Sequence, residues 1–369
     1  MDDRRGYILV GLKVRLALVA LLMLTATPLM VAGSTTAKAS SYTNLIVQAQ
    51  RFLTREANLR HWTITSQSLK TLEEQSYGNS VTYVYLVTQN HLLDYASPQD
   101  TPVLEGLLAG QRAANRTSPG AASAVQGLVA QWEHNLQRYI TTPATSYEYI
   151  EVIAALTPSG AVAPGTATVF EQDPLGNWVP AATILAGIPS ASAVSASAAR
   201  GIQLYALDAT PNVYCCGGGS SAVSYANQYS DNGSLNVDCG GTMIAQWPRY
   251  YNGSYSYYQC NDCTNYMSQA LFYGGIPETS TWKPYTSAWI NVNAFYNYMS
   301  SKGYLSQTSV SSVPAGGLVT FGPIGSMTHT EMVVYNDGST QEYSGHTTDR
   351  DQYSYSYSFT GAMWWVVNY

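Results

Sequence analysis

The chain has 369 residues, enough for two cores of ordinary size. Its net charge is −6 and only 11% of its residues are charged, against roughly 25% in average soluble domains. That balance leaves no basic stripe, so nucleic acid is not an expected partner, and it predicts a polar but largely uncharged surface. Such a surface suits an acidic exterior, where carboxylates lose their charge.

Taken in chain order, the first segment is a leader. Arg4, Arg5, Lys13 and Arg15 precede an apolar stretch from Leu16 to Val31, and Ala37-Lys38-Ala39 supplies an A-x-A cleavage site. This three-part order predicts a signal peptide over 1–39, with export of the rest, secreted and extracellular or associated with the cell wall. No comparable apolar run recurs, so no integral membrane span is expected after cleavage.

Residues 40–186 read as an α+β domain of unknown role. Helical periodicity covers Tyr42 to Glu56 and Ala121 to Tyr139, and strand-like runs cover Tyr147 to Leu156, Ala167 to Gln172 and Trp178 to Leu185. His61, His91 and His134 lie here without metal-ligand spacing or a nearby cysteine, which favours surface or core positions over a metal site. An Ala/Ser-rich run from Gly187 to Ala199 and the string Gly217-Gly218-Gly219-Ser220-Ser221 predict a linker over 187–221. A second domain is then expected over 222–369. Its many tyrosines, among them Tyr225, Tyr229, Tyr255, Tyr257 and Tyr258, are either half-buried core residues or walls that stack on sugars or peptides.

The most informative segment is Asp262-Cys263-Thr264-Asn265-Tyr266-Met267-Ser268-Gln269-Ala270-Leu271. Cys263, Tyr266, Met267, Ala270 and Leu271 share one helical face, Asp262 stands at the N-cap position, and Gly274-Gly275 followed by Pro277 supplies the stop. Cys263 is thus expected to open a helix, where the unpaired N–H groups and the dipole favour thiolate. Five cysteines are present. An odd count in an exported protein leaves one thiol unpaired or linked to another chain. If Cys263 is the unpaired one, Cys215, Cys216, Cys239 and Cys260 form two bridges whose connectivity stays open. A redox pair of Cys260 and Cys263 is the alternative, but no thioredoxin-like βαβ pattern surrounds it.

That decapeptide resembles the D-C-T-N-F-x-S-Q-A-L signature of the bacterial family named "Putative amidase domain", which is related to the NlpC-type and CHAP-type cysteine peptidases of the cell wall. The resemblance takes in roughly residues 222–369. It implies a papain-like α+β fold, with a nucleophile helix packed on a small antiparallel sheet, and cysteine-dependent hydrolysis of amides. The family's usual G-D-hydrophobic strand start is replaced here by Gly316-Gly317-Leu318-Val319.

A thiol nucleophile needs an imidazole to take its proton and return it to the leaving amine. Two histidines remain downstream, His329 and His346, on strand-like segments flanking Asn336-Asp337-Gly338-Ser339. A turn centred on Asp337-Gly338 sets His329 opposite His346, with Cβ atoms roughly 4.5–5.5 Å apart. The expected triad is therefore Cys263, His329 as base and His346 as orienting member, which the resemblance also implies. Glu331 and Asp349 are fallback orienters. Asp262, Thr264, Asn265 and Gln269 are supporting residues, and a second helix is expected from Ala288 to Lys302. The Cys263 backbone N–H is the expected oxyanion donor, with Tyr258 or Gln259 as candidates for a second. No metal or cofactor is implied.

The resemblance and the leader together point to a hydrolase acting on peptidoglycan stem peptides, the muramoyl amide or another peptide, and a monomer is expected. A non-catalytic wall-binding or adhesion module on the same scaffold is the rival.

Overall fold

Buried side chains alternate with half-buried ones along Ser80–Leu93, the period-two pattern of a strand with one face on a core. In the computed structural model, which describes residues 35–173, 176–208, 218–232, 236–237, 245–246, 251–347, 349–355 and 361–369, this strand is one of eleven in a single sheet. Most of the predicted leader lies outside the described residues, as do Cys215, Cys216 and Cys239.

The elements run α1 (Thr35–Leu59), β1 (Trp62–Tyr77), β2 (Ser80–Leu93), α2 (Pro102–Thr117), α3 (Ala122–Thr141) and β3 (Ala144–Ala155). Next come β4 (Thr168–Gln172), β5 (Trp178–Pro180), α4 (Ala181–Gly187), α5 (Ala191–Asp208), α6 (Gly218–Gln228) and a two-stranded ribbon of β6 (Asn236–Val237) and β7 (Ala245–Gln246). Then follow α7 (Cys263–Tyr273), α8 (Ser287–Ile290), α9 (Val292–Ser301), β8 (Leu305–Thr308) and β9 (Leu318–Phe321). The chain closes with β10 (His329–Asn336), β11 (Gln341–Gly345), β12 (Arg350–Tyr355) and β13 (Ala362–Val367). The fold class is mixed α+β, as expected. The expected helix from Ala288 to Lys302 breaks into α8 and α9 at Asn291, whose Oδ1 accepts from the Asn293 and Ala294 N–H groups, each at 3.1 Å. The expected strand from Trp178 turns into helix α4 at Ala181.

The strand order is β1-β2-β3-β12-β11-β10-β9-β13-β8, with β4 and β5 continuing from the other end of β3. All pairings are antiparallel except β3 with β12, which meet in parallel at Tyr147 and Tyr353. That one pairing joins the N-terminal strands to the C-terminal ones.

Burial shows why the two halves do not separate. All eight residues of β10 are buried. Met332 and Val334 face a core built from α6, α7, α8 and α9, while Val333 faces the core of α1, β2 and β3, and Tyr335 the core of α2, α3 and α5. A strand covered on both faces loses the polar-out alternation of a half-exposed one. The N-terminal half therefore supplies the second cover of the C-terminal sheet. Trp132 of α3, fully buried, donates its indole N–H to the Ser312 carbonyl at 3.0 Å, and Trp62 donates to Asp337 Oδ2 at 2.9 Å.

The predicted linker needs correcting. Much of 187–221 is the helix α5, with Val194, Ala198, Ile202 and Tyr205 buried. Its small residues serve close packing: a Cβ on Gly106 of α2 would stand 2.1 Å from the Ser195 carbonyl oxygen, and one on Gly110 2.6 Å from that of Ala199. Alanine and serine here let two helix backbones approach, and the same composition without a partner reads as a flexible spacer. Among the described residues no single helix is long and apolar enough to cross a membrane.

Candidate active site

Helix α7 forms where the periodicity places it and ends at the expected glycines, with Gly275 at φ +106. Both of its faces are covered, since every residue from Cys263 to Leu271 is buried. The polar side chains of the motif therefore need partners inside the fold, because an unpaired buried polar group costs about 1–3 kcal/mol. Asn265 donates to the Ser256 carbonyl (2.8 Å) and to Asp262 Oδ1 (2.9 Å), and its Oδ1 accepts from the Trp289 indole (3.0 Å). Gln269 Oε1 accepts from the Tyr225 hydroxyl at 2.6 Å. Ser268 donates to the Trp289 carbonyl at 2.9 Å and accepts from the Trp282 indole at 3.2 Å. Asn265, Ser268 and Gln269 thus fasten the helix in place.

Cys263, at the first turn of α7, is a free, buried thiol. Cys260, three residues earlier, is disulfide-bonded, so the expected alternative of a Cys260–Cys263 redox pair is not formed. The thiol reaches the His329 ring at the start of β10 and lies 3.7 Å from Thr264 Oγ1. Burial pushes the thiol up, but the His329 charge, a hydrogen bond to its ring, the Thr264 hydroxyl and the Thr330 backbone outweigh it, and the thiol pKa ends below its ordinary value. The His329 imidazole shifts the other way: burial alone would lower it, and the Cys263 thiolate together with Glu331 carries it well above. The two shifts run in the direction of a thiolate beside an imidazolium.

His329 Nε2 meets Glu331 Oε1 at 3.2 Å, so Nδ1 is the ring nitrogen that Glu331 does not engage. Glu331 is fully buried two residues along the same strand face. Gly345 of β11 lies beneath it, and a Cβ there would stand 2.9 Å from Glu331 Cγ. The side chain that meets the His329 ring is thus Glu331, named above as a fallback orienter.

His346 is not opposite His329, a correction to the expected register. The turn is a four-residue loop in which Asp337 Oδ1 accepts from the Ser339 and Thr340 N–H groups, so that Asn336 pairs with Gln341 and Tyr335 with Glu342. A bulge then places Val333 opposite Tyr343 and Met332 opposite Ser344. Continued at that offset, His346 would fall beside Thr330, and a one-residue shift exchanges faces because side chains alternate.

His346 instead binds the loop that precedes Cys263. Its Nδ1 donates to Asp262 Oδ2 at 2.6 Å and its Nε2 to the Tyr229 carbonyl at 2.6 Å, with the ring stacked on Tyr266 at a centroid distance of 4.0 Å. A carbonyl only accepts and a carboxylate favours accepting, so both ring nitrogens carry protons. Burial would discharge this imidazolium, but the Asp262 hydrogen bond and the Asp349 and Asp262 charges raise its pKa. Neither nitrogen is left for His329. Asp349, the other fallback orienter, acts on His346, and burial lifts its own pKa to about 7.

Asp262 occupies the N-cap position without capping through its side chain. Its Oδ1 accepts from the Tyr258 N–H and from Asn265, both at 2.9 Å, while Oδ2 holds His346. The Tyr258 N–H is thereby engaged, and the Gln259 side chain is exposed. The backbone N–H groups of Asp262 and Cys263 both donate to Thr347 Oγ1, at 3.0 and 3.1 Å. Sequence reasoning missed Thr347, because its φ of +86 and its reach to α7 leave no local signal.

Residues 218–367 match the family model described as "Putative amidase domain". The match supports an amidase-like activity on this segment, which runs from α6 through β13. Over 60 residues the chain is 47% identical to the uncharacterized protein YjcM of Bacillus subtilis (strain 168), a stretch covering 16% of this chain and 15% of that protein. No solved structure matches significantly. Among the described residues no cluster of His, Cys, Asp and Glu has the arrangement to hold a metal ion. His91 stacks on Trp62 at 3.6 Å in the core, and His134 is exposed beside a cavity lined by Gln131, Arg138, Ser220 and Tyr369, to which neither Cys263 nor His329 contributes.

Proposed function

We propose that this chain is an exported, cysteine-dependent amide hydrolase that works through an acyl-enzyme. The reading is supported by the free, buried Cys263 thiol at the start of α7, facing the His329 ring that Glu331 holds at 3.2 Å, with the thiol shifted down and the imidazole up. The thiolate attacks the amide carbonyl, His329 passes its proton to the departing amine, and a water then activated by the same ring releases the acyl group. Glu331 holds the ring, and His346 holds Asp262 and with it the turn before the nucleophile. A helix bearing the thiol, packed on antiparallel strands bearing the base, supports a papain-like arrangement.

The leader pattern and the likeness to wall hydrolases support peptidoglycan stem peptides or the muramoyl amide as substrate, outside the cell. Fold kinship alone does not assign a substrate, so the test is direct. Purified peptidoglycan is incubated with wild type and with Cys263→Ala, and released fragments are weighed by mass spectrometry. New amino termini or free muramoyl carboxylates from wild type alone are expected. Equal release by both proteins, or none by either, would favour the binding module.

A further inference from the structure

The thiol mechanism needs donors for the negative oxygen of the tetrahedral intermediate, and Thr347 marks where they are. Its Oγ1 lies at the convergence of two successive backbone N–H groups, Asp262 and Cys263, at 3.0 and 3.1 Å. Successive N–H groups aimed at one point form a concavity that binds an anionic oxygen, and the positive end of α7 adds to it. One of the two donors belongs to the nucleophilic residue itself, so an oxygen held there is within reach of a carbon bonded to Sγ. An oxygen already occupies the place, but it is a neutral hydroxyl.

Two further features set Thr347 apart from an ordinary cap. Its φ of +86 is in the left-handed region, which a β-branched side chain seldom adopts, and backbone strain of this kind clusters at functional sites. It is also only half-buried, next to the buried and doubly bonded His346.

We propose that the Asp262 and Cys263 backbone N–H groups are the oxyanion donors of this enzyme and that the Thr347 hydroxyl is their resident placeholder, displaced by the substrate's carbonyl oxygen. The second donor is thus the N–H of Asp262, and the Thr347 hydroxyl occupies the place until a substrate oxygen takes it. This rests on the thiol mechanism above. In the acylation step the Cys263 sulfur forms a bond to the carbonyl carbon and the C=O electron pair moves onto oxygen between the two N–H groups. Collapse of the intermediate then expels the leaving group.

The test uses two reagents on the full chain. Acylation by p-nitrophenyl acetate forms a thioester and releases p-nitrophenolate through an oxyanion, whereas alkylation by iodoacetamide displaces iodide with no oxyanion, so the ratio of the two rates isolates the donors. Thr347→Gly removes the hydroxyl and the strain and leaves the donors open. Displacing a neutral hydroxyl costs on the order of one to two hydrogen bonds, so the ratio is expected to rise about tenfold. Thr347→Val keeps the bulk and the strained backbone but cannot accept, and its ratio is expected to stay at or below that of wild type. A ratio that falls or stays level in Thr347→Gly, or rises equally in both variants, overturns the proposal. Failure of iodoacetamide to alkylate Cys263 in wild type would instead remove the thiol mechanism beneath it.

Discussion

Removing either partner of the Asp262–His346 pair is the sharpest structural perturbation of the site. Asp262→Ala deletes the acceptor of three hydrogen bonds, from Tyr258, Asn265 and His346, and leaves an imidazolium buried beside Asp349. His346→Ala strands the Asp262 carboxylate, loses the bond to the Tyr229 carbonyl and removes the stack on Tyr266. Both side chains of the pair are only 2% exposed, so the relevant magnitude is that for breaking a buried ion pair, about 3–5 kcal/mol for each single change. The uncompensated charge disappears in the double variant, so its loss is expected to fall short of the sum by about 2–3 kcal/mol. Urea unfolding followed by tryptophan fluorescence measures all four proteins, with eight tryptophans as reporters. Losses that add to within about 0.5 kcal/mol in the double variant, or a single loss under about 1 kcal/mol, would refute the claim that this pair anchors the loop before Cys263.

The thiolate can be followed directly: the rate of Cys263 alkylation by iodoacetamide against pH is expected to show a midpoint below the ordinary thiol value in wild type. His329→Ala should move that midpoint upward, since burial alone raises it, and an unmoved midpoint counts against the ion pair. Stability should fall as pH rises from about 6.5 to 8. Burial raises Glu148 to about 8, and His346 is raised as well, so the folded state retains protons there that the unfolded chain releases. Each such proton is worth about 1.4 kcal/mol per pH unit. His91, lowered to about 3 by burial and by Arg60, acts in the opposite direction only below its unfolded value of about 6.5. Urea midpoints at pH 6.5 and 8 check this, Glu148→Gln should flatten the slope, and greater stability at pH 8 would contradict it. Finally, Gly106→Val drives a side chain into the Ser195 carbonyl and should cost at least the ~1–3 kcal/mol of an overpacked core. A loss under about 0.5 kcal/mol would mean that α2 and α5 are not in close contact.

Local signals decided much of the structure around Cys263. Apolar periodicity, the capping position at Asp262 and the glycine stop place Cys263 at the start of a helix, because each acts within one or two turns of chain. Cysteine parity marks one thiol as unpaired, and among the described residues that thiol is Cys263. The strand–turn–strand pattern around Asp337 puts His329 on β10. Its partner was legible only as a set of candidates, His346, Glu331 and Asp349, since choosing among them requires the register.

What the sequence by itself determined, then, is that Cys263 opens a helix, that His329 lies on a strand and that the fold is mixed α+β, since each rests on signals within a short stretch of chain. Tertiary structure alone decided that Glu331 orients His329 and that His346 clamps Asp262, because a four-residue turn and a bulge shift side chains that alternate every residue. It also decided that Ala191–Asp208 packs as a helix and that the N-terminal half covers the C-terminal sheet. Small residues look alike in a spacer and in a tight helix contact until the partner surface is in place.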